Sequence, residues 1–186
     1  MNVYGLDVEM VTIEPNNVKS AARVSLVAKN LQCVYDVFVR QQSRVIDYNT
    51  EVSGITKDML INGHLIGNVR SEVLNILRNS IVVGHSIHHD FDALLIREED
   101  LARINCIVRD TTEFSKFANV RRDKSTPSLK ELVRKFLKSN IQQGAHSSVI
   151  DARAVVQLYN KFKVEWEREI VKSNLNRPKL YYSSNF

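Results

Sequence analysis

The sequence has few of the residues that define disulfide-rich, zinc-stabilised or membrane-spanning proteins. Its 186 residues contain two cysteines, Cys33 and Cys106, which are far apart and form no Cys-x-x-Cys pair. This spacing argues against a disulfide framework and against a structural zinc site. No apolar run is long enough to span a membrane, and no leader of charged, apolar and small residues opens the sequence. We therefore expect an intracellular protein without a membrane partner.

Internal repeats, low-complexity segments and linkers that would divide the chain are also missing. The length suits one domain with a full-sized core, and the 44% hydrophobic and 25% charged residues are typical of globular proteins. We expect one domain over residues 1–172 and a basic, polar C-terminal tail over residues 173–186. The net charge of +5 favours anionic partners without naming one.

Apolar periodicity predicts an α/β layer fold with a mixed sheet. Strands are predicted at residues 3–13, 22–28, 33–39, 81–83 and 104–108, and the second and third of these form an antiparallel hairpin. Helices are predicted at residues 57–60, 66–78 and 87–95, after a Ser128–Glu131 capping box, and in the segment from Asp151 onward. No element is predicted for the polar stretch between residues 40 and 54.

The first predicted strand carries two carboxylates but no Lys or Arg that could neutralise them. Strand side chains alternate between faces, so Asp7 and Glu9 point the same way in a strand that is otherwise apolar on both sides. Such a strand is usually central in a covered sheet, where two like charges are costly to desolvate. A bound cation is then the simplest partner, and an edge strand with one wet face is the alternative.

Two further acids, Asp90 and Asp151, lie on helix faces that are otherwise apolar. Asp90 falls on the stripe of Ile87 and Leu94, and Asp151 shares one side of the last helix with Val155. Four acids at positions where apolar residues are expected suggest an oxygen-ligand site for Mg²⁺ or Mn²⁺. For Asp151 alone, a favourable interaction with the helix dipole is the alternative.

Six short motifs follow one another along the chain. They are Leu6-Asp7-Val8-Glu9-Met10-Val11, Ala22-Arg23-Val24-Ser25-Leu26, Ser53-Gly54-Ile55-Thr56, Val83-Gly84-His85 with Asp90-Phe91 and Ala93-Leu94, Ser128-Leu129-Lys130, and His146-Ser147-Ser148-Val149 with Asp151-Ala152-Arg153. In this order they resemble the DEDDh class of DnaQ-like 3′→5′ exonucleases. Within that class they are most similar to the eukaryotic RNA exonucleases that include the interferon-stimulated exonuclease and the ribosomal-RNA-processing exonucleases.

The resemblance implies a ribonuclease-H-like fold and metal-dependent hydrolysis of single-stranded RNA from its 3′ end, with DNA as a second substrate and 5′-mononucleotides as products. The catalytic residues that it implies are Asp7, Glu9, Asp90, His146 and Asp151. The four acids would hold two Mg²⁺ or Mn²⁺ ions, and His146 would be the general base. By the same resemblance, Met10 packs near the terminal sugar and base, and the nucleus or nucleolus is the expected compartment.

Two positions depart from the pattern of this family. Asn49 stands where many relatives carry an Arg near the substrate sugar, which leaves the preference for RNA over DNA open, and Ile150 replaces a usual Glu.

Arg121, Arg122 and Lys124 are candidates for phosphate contacts, with a solvated charged face as the alternative. The rival functions are a DNA-preferring exonuclease of the same fold and a catalytically silent nucleic-acid-binding domain.

Overall fold

A six-stranded mixed sheet forms the centre of the computed structural model, which describes residues 1–121 and 125–176. The strands are β1 (Asn2–Ile13), β2 (Val18–Ala28), β3 (Cys33–Phe38), β4 (Val45–Asp47), β5 (Ser80–Gly84) and β6 (Ile107–Asp110). Five of them follow the order β3-β2-β1-β5-β6. The first three strands are antiparallel neighbours, whereas β5 runs parallel to β1 and β6 parallel to β5. The mixed sheet and the hairpin of β2 and β3 confirm the sequence predictions.

Helices cover both faces of this sheet. They are α1 (Thr50–Ser53), α2 (Lys57–Ile61), α3 (Ile66–Ile76), α4 (His88–Ala93), α5 (Glu98–Arg103), α6 (Ser115–Ala118), α7 (Leu129–Leu132) and α8 (Ser148–Asn176). One buried core lies between the sheet and helices α3, α4 and α5, and another lies between the sheet and helices α6, α7 and α8. Within the described ranges, none of the helices has the length and apolarity that a membrane span requires.

Strand β1 is central, and one of its edges is only partly used. Its other edge pairs with β2 along most of the strand. The partly used edge pairs with β5 at residues 2–5 and with β4 at residues 12–13. Among the described residues, no strand pairs with residues 6–11 on that edge. Asp7 and Glu9 therefore lie on a central strand, beside an open edge, and the edge-strand alternative is wrong.

Aromatic and charged contacts fix α8 against the rest of the fold. The rings of Phe114 and Trp166 are stacked, with their centroids 4.8 Å apart. Tyr159 is fully buried and donates its hydroxyl to Glu167 at 2.7 Å. The same Glu167 accepts two hydrogen bonds from Arg109 of β6, at 2.9 and 2.7 Å. These contacts hold the long helix across one face of the sheet.

Several parts of the fold differ from the sequence predictions, including β2, which begins at Val18 rather than at residue 22, and α6, which was not predicted. Strand β6 begins at Ile107 rather than at Ile104, because Ile104 closes α5 with an N–H bond to the carbonyl of Asp100. Helix α5 itself was not predicted, and its start is fixed by the N–H of Arg97, which donates to the carboxylate of Asp100. Strand β4 and helix α1 fall in the polar stretch where no element was expected.

Most of the predicted C-terminal tail, residues 173–186, lies outside the described residues. Helix α8 continues to Asn176, which is past the predicted domain boundary at residue 172. Residues 177–186 are outside the part of the chain that the structure describes. A separate tail therefore stays a prediction.

Candidate metal centre

Three acids from two distant parts of the chain meet beside the open edge of β1. Asp7 and Glu9 project from β1 and Asp151 from the first turn of α8, and one carboxylate oxygen of each lies within 4.8 Å of the others. Glu9 and Asp151 are buried, and Asp7 is half-buried. Among the described residues, this is the one group of His, Cys, Asp and Glu side chains with such a geometry.

Gly5 explains how α8 comes close enough to β1 to form this group. A Cβ atom at Gly5 would overlap the carbonyl oxygen of Ala152 and would lie 2.6 Å from a methyl carbon of Val156. Ala152 directly follows Asp151 in α8. Because glycine has no side chain, the helix backbone can rest on the strand, and Asp151 reaches the acids of β1.

The fourth predicted acid, Asp90, lies beside Asp7 but outside the group of three. It is buried on α4, its carboxylate accepts a main-chain hydrogen bond from Val8 of β1, and its charge raises the pKa of Asp7. The carboxylate of Asp110, at the end of β6, accepts the N–H groups of Ser86 and Ile87 at 2.9 Å each. These bonds fix the turn that leads into α4, and so they position Asp90.

Burial raises the pKa of every acid in the centre, and repulsion from neighbouring acids raises it further for Asp7, Glu9 and Asp90. For Asp7 desolvation is the largest cause, followed by the charges of Asp90, Asp151 and Glu9. Desolvation and then the charge of Asp151 raise the pKa of Glu9 to about 7, against the opposing effect of Arg23. Burial also raises the pKa of Asp90 and that of Asp151. The centre is therefore short of positive charge.

Two buried oxygens in the centre have no hydrogen-bond partner in the described part of the chain. They are Oε1 of Glu9 and Oδ1 of Asp151. Buried polar atoms are nearly always satisfied, so each such exception needs an explanation. Carboxylate oxygens are the ligands that Mg²⁺ and Mn²⁺ prefer, and a divalent cation would both satisfy these atoms and neutralise the acids. The residues present thus fit a divalent metal ion.

His146 lies at the border of the centre, in the loop that precedes α8. Its Nδ1 atom is 3.9 Å from Oδ2 of Asp151, and 34% of its side chain is exposed. Its main-chain N–H donates to the carbonyl of Val52 at 2.6 Å. The loop is therefore attached to α1, and the imidazole stands between solvent and the acids.

Gln142 is a residue of the centre that sequence reasoning missed. Its Nε2 atom donates to Oδ2 of Asp151 at 2.8 Å, which leaves Oδ1 of that acid unpartnered. The carbonyl of Gln142 accepts a hydrogen bond from Lys130 at 2.9 Å, and the neighbouring Ile141 is buried in the core. A polar residue in a loop interrupts no periodic pattern, so the sequence carried no signal for it.

Two of the predicted substrate residues line or adjoin a cavity of about 900 Å³. Met10 is half-buried in its wall. Asn49 precedes α1 with a left-handed backbone (φ 51°), a conformation that asparagine adopts more readily than most residues. When the side-chain amide of Asn49 is oriented so that its nitrogen donates to Oδ2 of Asp47 at 3.1 Å, its oxygen accepts a hydrogen bond from Lys19 at 3.1 Å. Both residues therefore lie near the part of β1 that follows Glu9.

The three predicted phosphate contacts are not brought to the centre by any described interaction. Arg121 forms two hydrogen bonds with the carboxylate of Glu131, at 3.1 and 2.6 Å. Arg122 and Lys124 lie outside the described residues. Their assignment to the substrate stays a prediction.

Comparison with known proteins places these features in a wider group. A family model described as Exonuclease (RNase_T) matches residues 4–159. The chain is 39% identical over 164 residues to RNA exonuclease 4 of Kluyveromyces lactis and 40% identical over 163 residues to RNA exonuclease 4 of Mus musculus. These matches cover 88% and 87% of this chain but 54% and 36% of the two relatives. The chain thus spans about half or less of their length.

Solved structures share the fold at lower sequence identity. The Pan2 pseudoubiquitin hydrolase-RNA exonuclease module of Saccharomyces cerevisiae in complex with A7 RNA matches with a TM-score of 0.73 and 23% identity, covering 94% of this chain and 30% of that one. The Neurospora crassa Pan2 catalytic unit matches with a TM-score of 0.70 and 23% identity, covering 95% and 30%. This likeness confirms the predicted ribonuclease-H-like fold.

Proposed function

Since the chain belongs to the RNase_T exonuclease family, we propose that it is a DEDDh-class 3′→5′ exonuclease that hydrolyses single-stranded RNA with two divalent metal ions. The observation that carries this proposal is the convergence of Asp7, Glu9 and Asp151. One oxygen of Glu9 and one of Asp151 have no hydrogen-bond partner in the described part of the chain. The relatives named RNA exonuclease 4 and the Pan2 module solved with RNA support RNA as the substrate. Within this class, the motifs of the chain resemble those of the eukaryotic RNA exonucleases.

The four acids divide into two overlapping ligand sets. Asp7, Glu9 and Asp151 would hold one Mg²⁺ or Mn²⁺ ion, and Asp7 together with Asp90 would hold the other. Such ions, when bound, lower the pKa of water and stabilise the charge on a leaving oxygen. The protein keeps the ligands in position through the close approach at Gly5 and through the hydrogen bond between Val8 and Asp90.

His146 would accept the proton of the attacking water. Its Nδ1 faces the carboxylate of Asp151 at 3.9 Å, which leaves Nε2 to receive that proton. Histidine is the side chain most often used as a general base. Each hydrolysis would release one 5′-mononucleotide, and Met10 would pack against the nucleotide at the 3′ end.

A DNA-preferring exonuclease of the same fold is the second candidate function. The observation that favours it is Asn49, since this position lacks the Arg that many relatives carry near the substrate sugar. The chemistry at the four acids would be the same for both nucleic acids. The two candidates therefore differ only in the contacts made to the sugar.

The experiment that tests the proposal compares RNA and DNA oligonucleotides labelled at the 5′ or the 3′ end, with Mg²⁺, Mn²⁺ or a chelator. We expect 5′-labelled RNA to shorten one nucleotide at a time with either metal, DNA to shorten more slowly, and neither to change with the chelator. Internal cuts would contradict the exonuclease direction. Faster shortening of DNA would select the second candidate, and no cleavage with either metal would favour a silent nucleic-acid-binding domain.

A further inference from the structure

The carboxylate of Asp151 is anchored through only one of its two oxygens. Its Oδ2 atom accepts a hydrogen bond from Nε2 of Gln142 at 2.8 Å, whereas its buried Oδ1 atom has no hydrogen-bond partner in the described part of the chain. His146 faces the same Oδ2, but its Nδ1 atom is 3.9 Å away, which is beyond hydrogen-bond distance. Among the described residues, Gln142 is therefore the side chain that anchors this carboxylate.

The anchored oxygen also decides where Oδ1 points, because the two oxygens of a carboxylate turn together about one bond. The torsion about this bond has no sharp preference of its own in aspartate. The charge of Asp151 raises the pKa of both Asp7 and Glu9, so the three carboxylates repel one another when no cation lies between them. A hydrogen bond on Oδ2 holds Asp151 in the group against this repulsion.

An amide is better suited to this task than a charged donor. A lysine or arginine beside Asp151 would orient the carboxylate but would also neutralise it, and so would take the place of a metal ion. The amide of Gln142 donates a hydrogen bond and carries no charge. It therefore orients the ligand while the centre stays short of positive charge.

The main chain of Gln142 has a conformation that glutamine rarely adopts. Its φ is 55°, in the left-handed region, which is uncommon for residues other than glycine, asparagine and aspartate. Its carbonyl accepts a hydrogen bond from Lys130 of α7 at 2.9 Å, and the preceding Ile141 is buried. Residues held in such conformations by their surroundings cluster at functional sites. The loop thus fixes Gln142 from both sides, and its side chain reaches the metal centre.

We propose that Gln142 is a positioning residue of the metal centre, which holds Oδ2 of Asp151 so that Oδ1 is presented to a divalent ion. Lys130 supports it by holding its main chain. The inference rests on the proposed function, because it assigns Gln142 a part in the same centre. Residues that hydrogen-bond to metal ligands typically contribute about 10–100-fold to metal affinity or activity.

The test measures Mn²⁺ binding by isothermal titration calorimetry on the whole chain without nucleic acid, so that it does not depend on turnover. Gln142→Met keeps the length of the side chain but removes the donor. Gln142→Asn keeps the amide, but its side chain is one methylene too short to reach Oδ2. We expect the Mn²⁺ affinity to fall about 10–100-fold in both variants. The melting temperature of Gln142→Asn in chelator should not fall, because asparagine adopts the left-handed conformation more readily than glutamine.

Gln143→Met is the matched control, since Gln143 is the next residue in the same loop and is exposed. It should bind Mn²⁺ like the wild type. A Mn²⁺ affinity of Gln142→Met equal to that of Gln143→Met would overturn the proposal. A lower melting temperature of Gln142→Asn in chelator would also overturn it, because a disrupted loop would then explain the loss of affinity. A wild type that binds Mn²⁺ but leaves RNA uncleaved would contradict the proposed function and leave the role of Gln142 standing.

Discussion

The carboxylate of Asp7 is the point at which the charges of the centre meet. Asp90, Asp151 and Glu9 all raise its pKa, and both proposed ions would share it. We expect Asp7→Asn to reduce turnover by about 10³-fold or more, because the amide removes a shared ligand. The fold should remain, since the substitution also removes repulsion between buried acids. The release of mononucleotides from labelled RNA and the anisotropy of bound oligonucleotide measure the two effects.

Asp58→Asn is the control for that variant, because Asp58 is exposed on α2. It should turn over like the wild type. Turnover by Asp7→Asn at the rate of this control would remove Asp7 from the metal centre.

His146 can be tested without disturbing its loop. The hydrogen bond to Val52 comes from the main chain, so His146→Ala keeps it. We expect this variant to cut the single-turnover rate by about 10²–10⁴-fold, which is the usual contribution of a general base. His88→Ala, at an exposed position on α4, should keep the wild-type rate. If both variants react equally fast, another group accepts the proton.

Residues differ in how visible they are in the sequence, and the reason is physical. Asp7 and Glu9 stand out because a charge interrupts an apolar strand, and Asp90 stands out on an apolar helix stripe. Gln142 stands out in no such way, since a polar residue in a loop is ordinary. Its role depends on the distant side chain that it meets, namely Asp151.

At the scale of elements, the contact between β1 and α8 decides whether the centre can form. A methyl group at Gly5 would collide with the backbone of α8 at Ala152, and backbone yields less easily than a flexible side chain. We expect Gly5→Ala to lower the free energy of unfolding by about 1–3 kcal/mol, as overpacking does, and to move Asp151 away from β1. Chemical denaturation measures the first effect, and Mn²⁺ affinity by calorimetry measures the second.

Gly67→Ala provides the matched control in α3. A Cβ atom there would meet no atom within 4 Å, and alanine is favoured over glycine in helices by roughly 0.5–1 kcal/mol. It should therefore be neutral or slightly stabilising. A Gly5→Ala protein as stable as Gly67→Ala, with unchanged Mn²⁺ affinity, would contradict the role given to this contact.

Elements with strong periodicity were predictable, and short elements were not. The apolar run of β1 and the capping box at Ser128 gave correct positions, and Ser128 does accept the N–H of Glu131. Strand β4 has three residues and pairs with β1 at only two positions, so tertiary pairing defines it rather than its own sequence. The start of β6 was misplaced because the buried Ile104 belongs to the end of α5.

For the molecule as a whole, the buried acids predict how stability changes with pH in the absence of metal. Their raised pKa values mean that, above the ordinary carboxylate pKa of about 4, the native state holds protons that the unfolded chain has already lost. For Glu9 this window extends up to about pH 7. Stability is therefore lost as the pH rises through this window. The lowered pKa values of Asp36 and Glu167 contribute stability that is lost only as the pH falls below this window.

We expect the melting temperature of chelator-treated protein to fall by roughly 5 °C or more between pH 5 and pH 8. Mg²⁺ or Mn²⁺ should raise the melting temperature more at pH 8 than at pH 5, because the ions bind deprotonated acids. Differential scanning fluorimetry measures both. Glu9→Gln should flatten the pH dependence, and Glu51→Gln, at an exposed position on α1, should not. A melting temperature that rises with pH in chelator would contradict this assignment.

The acids on β1 and the acid on α8 are encoded near opposite ends of the described chain. A growing polypeptide that has emerged only as far as α7 holds Asp7, Glu9 and Asp90 but lacks Asp151. During translation, the proposed nuclease would thus remain inert beside the messenger that encodes it. It would gain its activity only when α8 has left the ribosome and packs against β1.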